Sequence, residues 1–168
     1  MLKKLCPCDQ VESVFDLDPA LLARQGIKGI ILDLDNTLVE WGANTIDDRM
    51  KTWVDRFKEA GFKLCIVSNA LPQRVENVAA ALGIPGVPQA TKPLKIPFRR
   101  ALELLGTLPE ETAVVGDQLF TDILGGNRMD LYTIWTPPIS KTEFVSTRAV
   151  RHLERLVVKR FRKRGLLA

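Results

Sequence analysis

Two carboxylates one residue apart close an apolar run in Gly29-Ile30-Ile31-Leu32-Asp33-Leu34-Asp35-Asn36-Thr37-Leu38. The run reads as a buried strand over 29–34. Side chains two apart on a strand share a face, so Asp33 and Asp35 face one spot if the strand continues that far. Two anions converging there repel unless a cation or a shared proton holds them. The plainer alternative is a strand end followed by a solvated Asp-Asn-Thr turn.

Other residues of the same chemistry recur along the chain. A second apolar run, 62–67, ends in Ser68-Asn69. Lys92-Pro93 stands in a loop, and a third run, 111–116, ends in Asp117, with Asp122 five residues on. Asp33, Asp117 and Asp122 are hard oxygen donors suited to Mg2+. A carboxylate at such a place can attack phosphorus, and Asp35 could protonate a leaving oxygen and then activate water. Ser68 could hold phosphoryl oxygens, and Lys92 adds positive charge where negative charge crowds. Singly, Lys92 reads as a solvated lysine, Ser68-Asn69 as a turn and Asp117 as a helix cap. Their occurrence in this order at successive strand ends is not accounted for by those readings.

The elements between them alternate. Asp18-Pro19 opens a helix that Gly26 ends. Thr45 is the expected cap of a helix with Asp47 and Asp48 in its first turn and Met50, Trp53, Val54 and Phe57 inward. Residues 72–82 form a helix with Val75, Val78, Ala79 and Leu82 inward, and 95–105 one with Phe98, Ala101, Leu102 and Leu105 inward. A short extended piece near Val87, a helix near 119–124 and a strand over 131–135 complete the pattern. Residues 1–17 carry no clear signal. Apolar strands alternating with helices predict an α/β fold with a doubly wound parallel sheet, in which sites form beyond the carboxyl ends of strands. With no repeat and no linker, residues 1–168 read as a single domain.

Composition narrows the function classes. The 168 residues are 46% hydrophobic and 26% charged, a globular balance. No apolar run reaches the roughly 18–20 residues that span a bilayer, and the first residues turn polar too soon for a secretory signal, so the expected compartment is the cytoplasm. A single histidine, His152, excludes a histidine metal cluster and argues against a Ser-His or Cys-His nucleophile. Cys65 reads as a small core residue; Cys6 and Cys8 flank a proline and read as reduced thiols without a structural role. The net charge of +4 is uneven, because residues 148–164 carry +7 and the remainder −3.

The segments Asp33-Leu34-Asp35-Asn36-Thr37-Leu38, Ser68-Asn69, Lys92-Pro93 and Gly116-Asp117-Gln118 with Thr121-Asp122 resemble, in order, the four motifs of the haloacid dehalogenase-like (HAD) phosphatases. Within that superfamily the chain looks like the YqeG family of subfamily IIIA, which is related to the mitochondrial and plastid phosphatidylglycerophosphate phosphatases. Residues 26–30, 39–41 and 121–128 extend the match. The resemblance implies Asp33 as nucleophile and Mg2+ ligand. It implies Asp35 as general acid/base and ligand through its backbone carbonyl, Asp117 as a third ligand and Asp122 as support for the metal. Ser68-Asn69 and Lys92 would bind phosphate. One departure is Asp130, where such proteins usually have glycine. Asp tolerates a left-handed backbone better than most residues, so a local adjustment is expected there.

Thirty-two residues separate Asp35 from Ser68 and twenty-two separate Asn69 from Lys92, too few for a folded lid. By similarity to capless members, an open site suits a phosphate on something large, with phosphatidylglycerophosphate the favoured substrate. A soluble metabolite or phosphoprotein is the alternative, and a non-catalytic RNA- or ribosome-binding protein with a vestigial site a second. A final helix at about 144–164 carries Arg148, Arg151, Arg155, Lys159 and Arg162 on one stripe and Val150, Leu153, Val157 and Phe161 on another. It either packs its apolar stripe on the body or meets anionic lipid from the cytoplasmic side. Phe161 is its one aromatic after residue 144, which argues against nucleic acid.

Overall fold

The structure is a computed structural model and describes residues 2–43, 45–140 and 145–165; side chains are described for these except 2, 145–149 and 151. Six strands, β1 (Asp9–Gln10), β2 (Gly29–Leu32), β3 (Lys63–Val67), β4 (Gly86–Val87), β5 (Thr112–Gly116) and β6 (Tyr132–Trp135), form one sheet. Its order is β1-β6-β5-β2-β3-β4, and every pair is parallel. The helices are α1 (Pro19–Arg24), α2 (Asp48–Glu59), α3 (Pro72–Leu82), α4 (Lys95–Leu105), α5 (Leu124–Asn127) and α6 (Val145–Lys163).

Alternation along the central strands divides the core into two layers. Ile30, Leu32, Leu64, Ile66, Ala113 and Val115 pack with α2 and α3. Ile31, Cys65, Val67 and Val114 point the other way, onto α4 through Phe98, Ala101 and Leu105. The predicted inward faces of α2, α3 and α4 are all buried. Two close approaches depend on glycine: a Cβ at Gly125 would lie 2.3 Å from the Phe98 ring, and one at Gly126 would lie 2.4 Å from Val114.

Four expectations are corrected. Strand β2 stops at Leu32 rather than 34. Its ladder continues only through the Asp33 N–H to Val115 O (3.0 Å); Asn36 then adopts φ 62° and its N–H bonds Val39 O at 2.7 Å, which curls the chain out of the sheet. Asp47, not Thr45, caps α2, accepting the Met50 N–H at 2.7 Å. Residues Leu119–Ile123 form a π-helical turn that leads into α5. In α6 the predicted apolar stripe holds at Val157 and Phe161 but not at Leu153, which is exposed while Glu154 is buried beside it.

Helix α6 packs through Phe161, Val157 and Val158 on Leu5, Leu119 and Ile123. Glu154 accepts the Phe120 N–H at 3.1 Å, tying the helix to the π turn. Arg155, Lys159 and Arg162 are exposed, while the side chains of Arg148 and Arg151 lie outside the described residues. Asp130 has φ 57°, the left-handed backbone that Asp accommodates. No helix among the described residues is long and apolar enough to cross a membrane.

Candidate active site

Strands β5, β2 and β3 are neighbours and parallel, so the residues that follow them meet at one edge of the sheet. Asp33 follows β2, Ser68 follows β3 and Asp117 follows β5. Asp122 comes from the π turn and Lys92 from the loop after β4. All five are buried.

Lys92 Nζ donates to Asp33 Oδ1 at 2.5 Å and to Asp122 Oδ1 at 2.6 Å. Asp122 also accepts the Gln118 N–H through Oδ2 (3.1 Å). The Asp122 carboxylate lies over the end of β5, in space that a Cβ at Gly116 would occupy: that atom would sit 2.4 Å from Asp122 Cγ. Trp135 Nε1 donates to Asp117 O at 3.0 Å and fixes the backbone there.

Oxygens of Asp33, Asp117 and Asp122 lie within 4.8 Å of one another. Burial pushes the Asp33 carboxyl up to about 7, with Asp122 and Asp35 adding to the rise and Lys92 opposing it. The same two carboxylates, Asp122 and Asp33, more than offset the effect of burial on Lys92 and hold its ammonium charged. Three buried carboxylates thus face one lysine. This donor set, all hard oxygen with an excess of negative charge, fits a divalent cation.

A cleft of about 590 Å³ opens over the cluster, lined by Asp33, Asp35, Ser68, Lys92, Trp41 and Arg74 among others. Ser68 Oγ accepts the Ala70 N–H at 3.1 Å and, being a hydroxyl, still has a proton to donate. Asn69, expected at phosphate, lines the cleft, but its Oδ1 accepts the Lys92 N–H at 2.9 Å and so positions the lysine loop. A larger cavity of about 760 Å³ lies beside Val14, Leu38, Met50 and Ile139, away from the clustered carboxylates.

Asp35 reaches the cleft, but not by strand alternation. Arg74 Nη1 holds its Oδ1 and Oδ2 at 2.6 and 2.7 Å, and Gly42 N–H approaches Oδ1 at 3.3 Å. The same guanidinium donates to Ala43 O through Nη2 (2.9 Å). Sequence reasoning missed Arg74 because α3 was read through its buried face. The available signal was a lone cation in the first turn of a helix that starts beside Ser68-Asn69.

Comparison with known proteins agrees with this geometry. Residues 39–130 match the haloacid dehalogenase-like hydrolase family. The chain is 40% identical over 166 residues to the Bacillus subtilis (strain 168) protein named "Probable phosphatase YqeG", covering 98% of this chain and 96% of that one. It is 32% identical over 146 residues to the Saccharomyces cerevisiae protein named phosphatidylglycerophosphatase GEP4, mitochondrial, covering 78% and 77%. A chain from Legionella pneumophila described as a HAD superfamily (subfamily III A) hydrolase shares the fold, with a TM-score of 0.54 at 21% identity, covering 87% of this chain and 90% of that one. On these matches the chain is a phosphatase and belongs to the haloacid dehalogenase-like hydrolase family.

Proposed function

We propose that the chain is a Mg2+-dependent phosphomonoesterase that works through an aspartyl-phosphate on Asp33, with phosphatidylglycerophosphate as substrate. The observation that carries the chemistry is the convergence of Asp33, Lys92, Asp117 and Asp122 under a cleft that Asp35 also lines. Asp33, Asp117 and the Asp35 carbonyl would hold the ion, with Asp122 beside them. Mg2+ so held would supply positive charge against phosphoryl oxygens.

A carboxylate oxygen of Asp33 attacks phosphorus, and the bond to the leaving oxygen breaks as the new O–P bond forms. Asp35 gives its proton to that leaving oxygen. It then takes a proton from water, whose oxygen attacks the same phosphorus, releasing phosphate and restoring Asp33. Lys92 and the Ser68 hydroxyl hold the phosphoryl oxygens while charge builds on them. Asp35 is clasped by Arg74, so the clasp must yield or turn for each proton transfer.

Three observations favour a lipid phosphate. The yeast relative is named for that activity. The short spacings around Ser68 leave the cleft without a folded lid. The basic α6, with Arg148, Arg151, Arg155, Lys159 and Arg162, would draw the protein toward anionic lipid. The test is phosphate release from phosphatidylglycerophosphate in mixed micelles, with and without Mg2+, by wild type and Asp33→Asn. Mg2+-dependent release lost in the variant is the expected result. Equal turnover of a broad panel of soluble phosphate esters, with no preference for the lipid, would favour the soluble-substrate reading.

A further inference from the structure

Because all strands are parallel, the loops that build the cleft leave one edge of the sheet. That edge also presents large apolar side chains to solvent: Leu71 is 69% exposed, Leu94 49%, Ile96 70% and Trp41 39%. Two of them occupy a position where local physics asks for something else. Leu71 is the N-cap of α3 and Leu94 the N-cap of α4, and neither supplies a side-chain cap hydrogen bond. Ser, Thr, Asp or Asn are the residues favoured at such a position. By contrast, α1 and α2 carry bonded Asp caps, Asp18 and Asp47. An apolar residue that forgoes a cap and leaves about half or more of its surface in solvent breaks a local rule for little structural return, which is how functional surfaces show themselves.

The charges at the start of α4, beside Leu94 and Ile96, are of one kind. Lys95 and Arg99, and Ile96 and Arg100, are spaced four apart at the start of α4, and all four are exposed. None of the three cations forms an ion pair among the described residues. Aliphatic tips ringed by lysine and arginine match the boundary between acyl chains and anionic headgroups. The tips come from three segments of the chain, the Trp41 loop and the starts of α3 and α4, and they are mostly aliphatic, whereas single-stranded nucleic acid is held by stacking aromatics.

We infer that this edge is the face by which the protein docks on an anionic bilayer. Leu71, Leu94 and Ile96 enter the interface, Lys95, Arg99 and Arg100 meet the headgroups, and the cleft over Asp33 is turned to the lipid. The inference deepens the lipid-phosphate reading by naming the surface through which such a substrate arrives. It separates that role from the basic face of α6, which would attract at longer range.

The test is co-sedimentation of the full chain with phosphatidylcholine vesicles, with and without phosphatidylglycerol, comparing wild type with the Leu94→Asp/Ile96→Asp double variant. Asp is favoured at an N-cap and in a first helical turn, so the variant is expected to melt at or above the wild-type temperature. It should hydrolyse soluble p-nitrophenyl phosphate at the wild-type rate while binding phosphatidylglycerol vesicles at least about tenfold more weakly, from the loss of two apolar insertions. A wild type that ignores these vesicles overturns the inference, as does a double variant that binds them equally well. Vesicle binding lost instead in Lys159→Glu/Arg162→Glu, with the Leu94/Ile96 variant unaffected, also overturns it and assigns the contact to α6. Vesicle binding that needs Leu94 and Ile96, in a protein that does not hydrolyse phosphatidylglycerophosphate, upholds the docking face and removes only the substrate reading.

Discussion

Arg74 clasps Asp35 across thirty-nine residues of sequence, one guanidinium nitrogen reaching both carboxylate oxygens at 2.6 and 2.7 Å. The rest of that guanidinium is spent on Ala43 O, so one side chain from α3 sets both the carboxylate and the loop that carries Trp41. Arg74 is a positioning residue for Asp35. General acid–base catalysis contributes about 10²–10⁴-fold, and Arg74→Ala should forfeit part of this, with kcat down by about 10–100-fold. Arg74→Lys should recover little, because an ammonium lacks the planar fork. The distinguishing measurement is the pH profile of kcat: a change in its shape marks an effect on Asp35, whereas a uniform drop with a lowered melting temperature marks damage to the fold.

Asp33, Asp117 and Asp122 crowd three carboxylates around one lysine, so the metal-free protein holds unbalanced buried charge. Divalent cation should raise the melting temperature, with a gain of about 2.7 kcal/mol at a concentration a hundred times Kd, and a chelator should reverse it. Asp117→Asn removes one of the repelling charges. It should melt higher than wild type in chelator and respond far less to Mg2+. Thermal unfolding with and without Mg2+ checks both halves; an unchanged response in Asp117→Asn would exclude it as a ligand.

Gly116 leaves room for Asp122. A methyl at this position would overlap the carboxylate, its Cβ 2.4 Å from Asp122 Cγ and Oδ2. Gly116→Ala should therefore push Asp122 off Lys92 and cost about 1–3 kcal/mol in overpacking. Turnover should fall more steeply than stability, since the displaced group belongs to the site. Urea denaturation beside kcat measurements separates the two effects.

Cys65 offers a pH test of the core. Burial pushes its thiol up to about 12 from an ordinary 9.0. The folded state thus holds the proton more tightly than the unfolded chain does. The associated stability is complete below pH 9 and is lost as pH rises from 9 toward 12. Cys65→Ala should flatten the fall in melting temperature over that alkaline range, at the expense of a small cavity. In the native protein iodoacetamide should label the exposed Cys8 and spare Cys65, and labelling of Cys65 should follow unfolding.

The parts of this molecule legible in its sequence are those where one local signal dominates. The apolar runs at Gly29–Leu32, Lys63–Val67 and Thr112–Gly116 are the three central strands, and the acids and the serine at their ends do meet. Strand β1, Asp9–Gln10, had no such signal: it is polar and two residues long, and pairing with β6 alone defines it. Asp33 and Asp35 do line one cleft, but a turn brings them there, because β2 stops at Leu32 and the positive φ at Asn36 turns the chain just after Asp35. In α6 the periodicity indicated the helix and its inward Val157 and Phe161, but not the exposure of Leu153. Glu154 turns inward to meet the Phe120 N–H, and hydropathy ranks a carboxylate last among candidates for burial. Arg74 was hidden for a related reason, since its partner lies in another loop and no spacing rule joins them.

The common direction of the strands gives the molecule two ends with different tolerances. Every group discussed in connection with phosphate leaves the carboxyl end. Among the described residues, the opposite end holds reversals of the chain such as those at Gly26 and Gly61, where even a built Cβ would meet nothing within 4 Å. Selection on chemistry has little purchase there, so that end is where length changes and fusions can accumulate without touching turnover. It is also the natural anchor for an instrument: with the exposed Cys8 replaced by serine, a cysteine introduced at the exposed Glu59 would tether the protein to a sensor surface with its cleft directed away from the support.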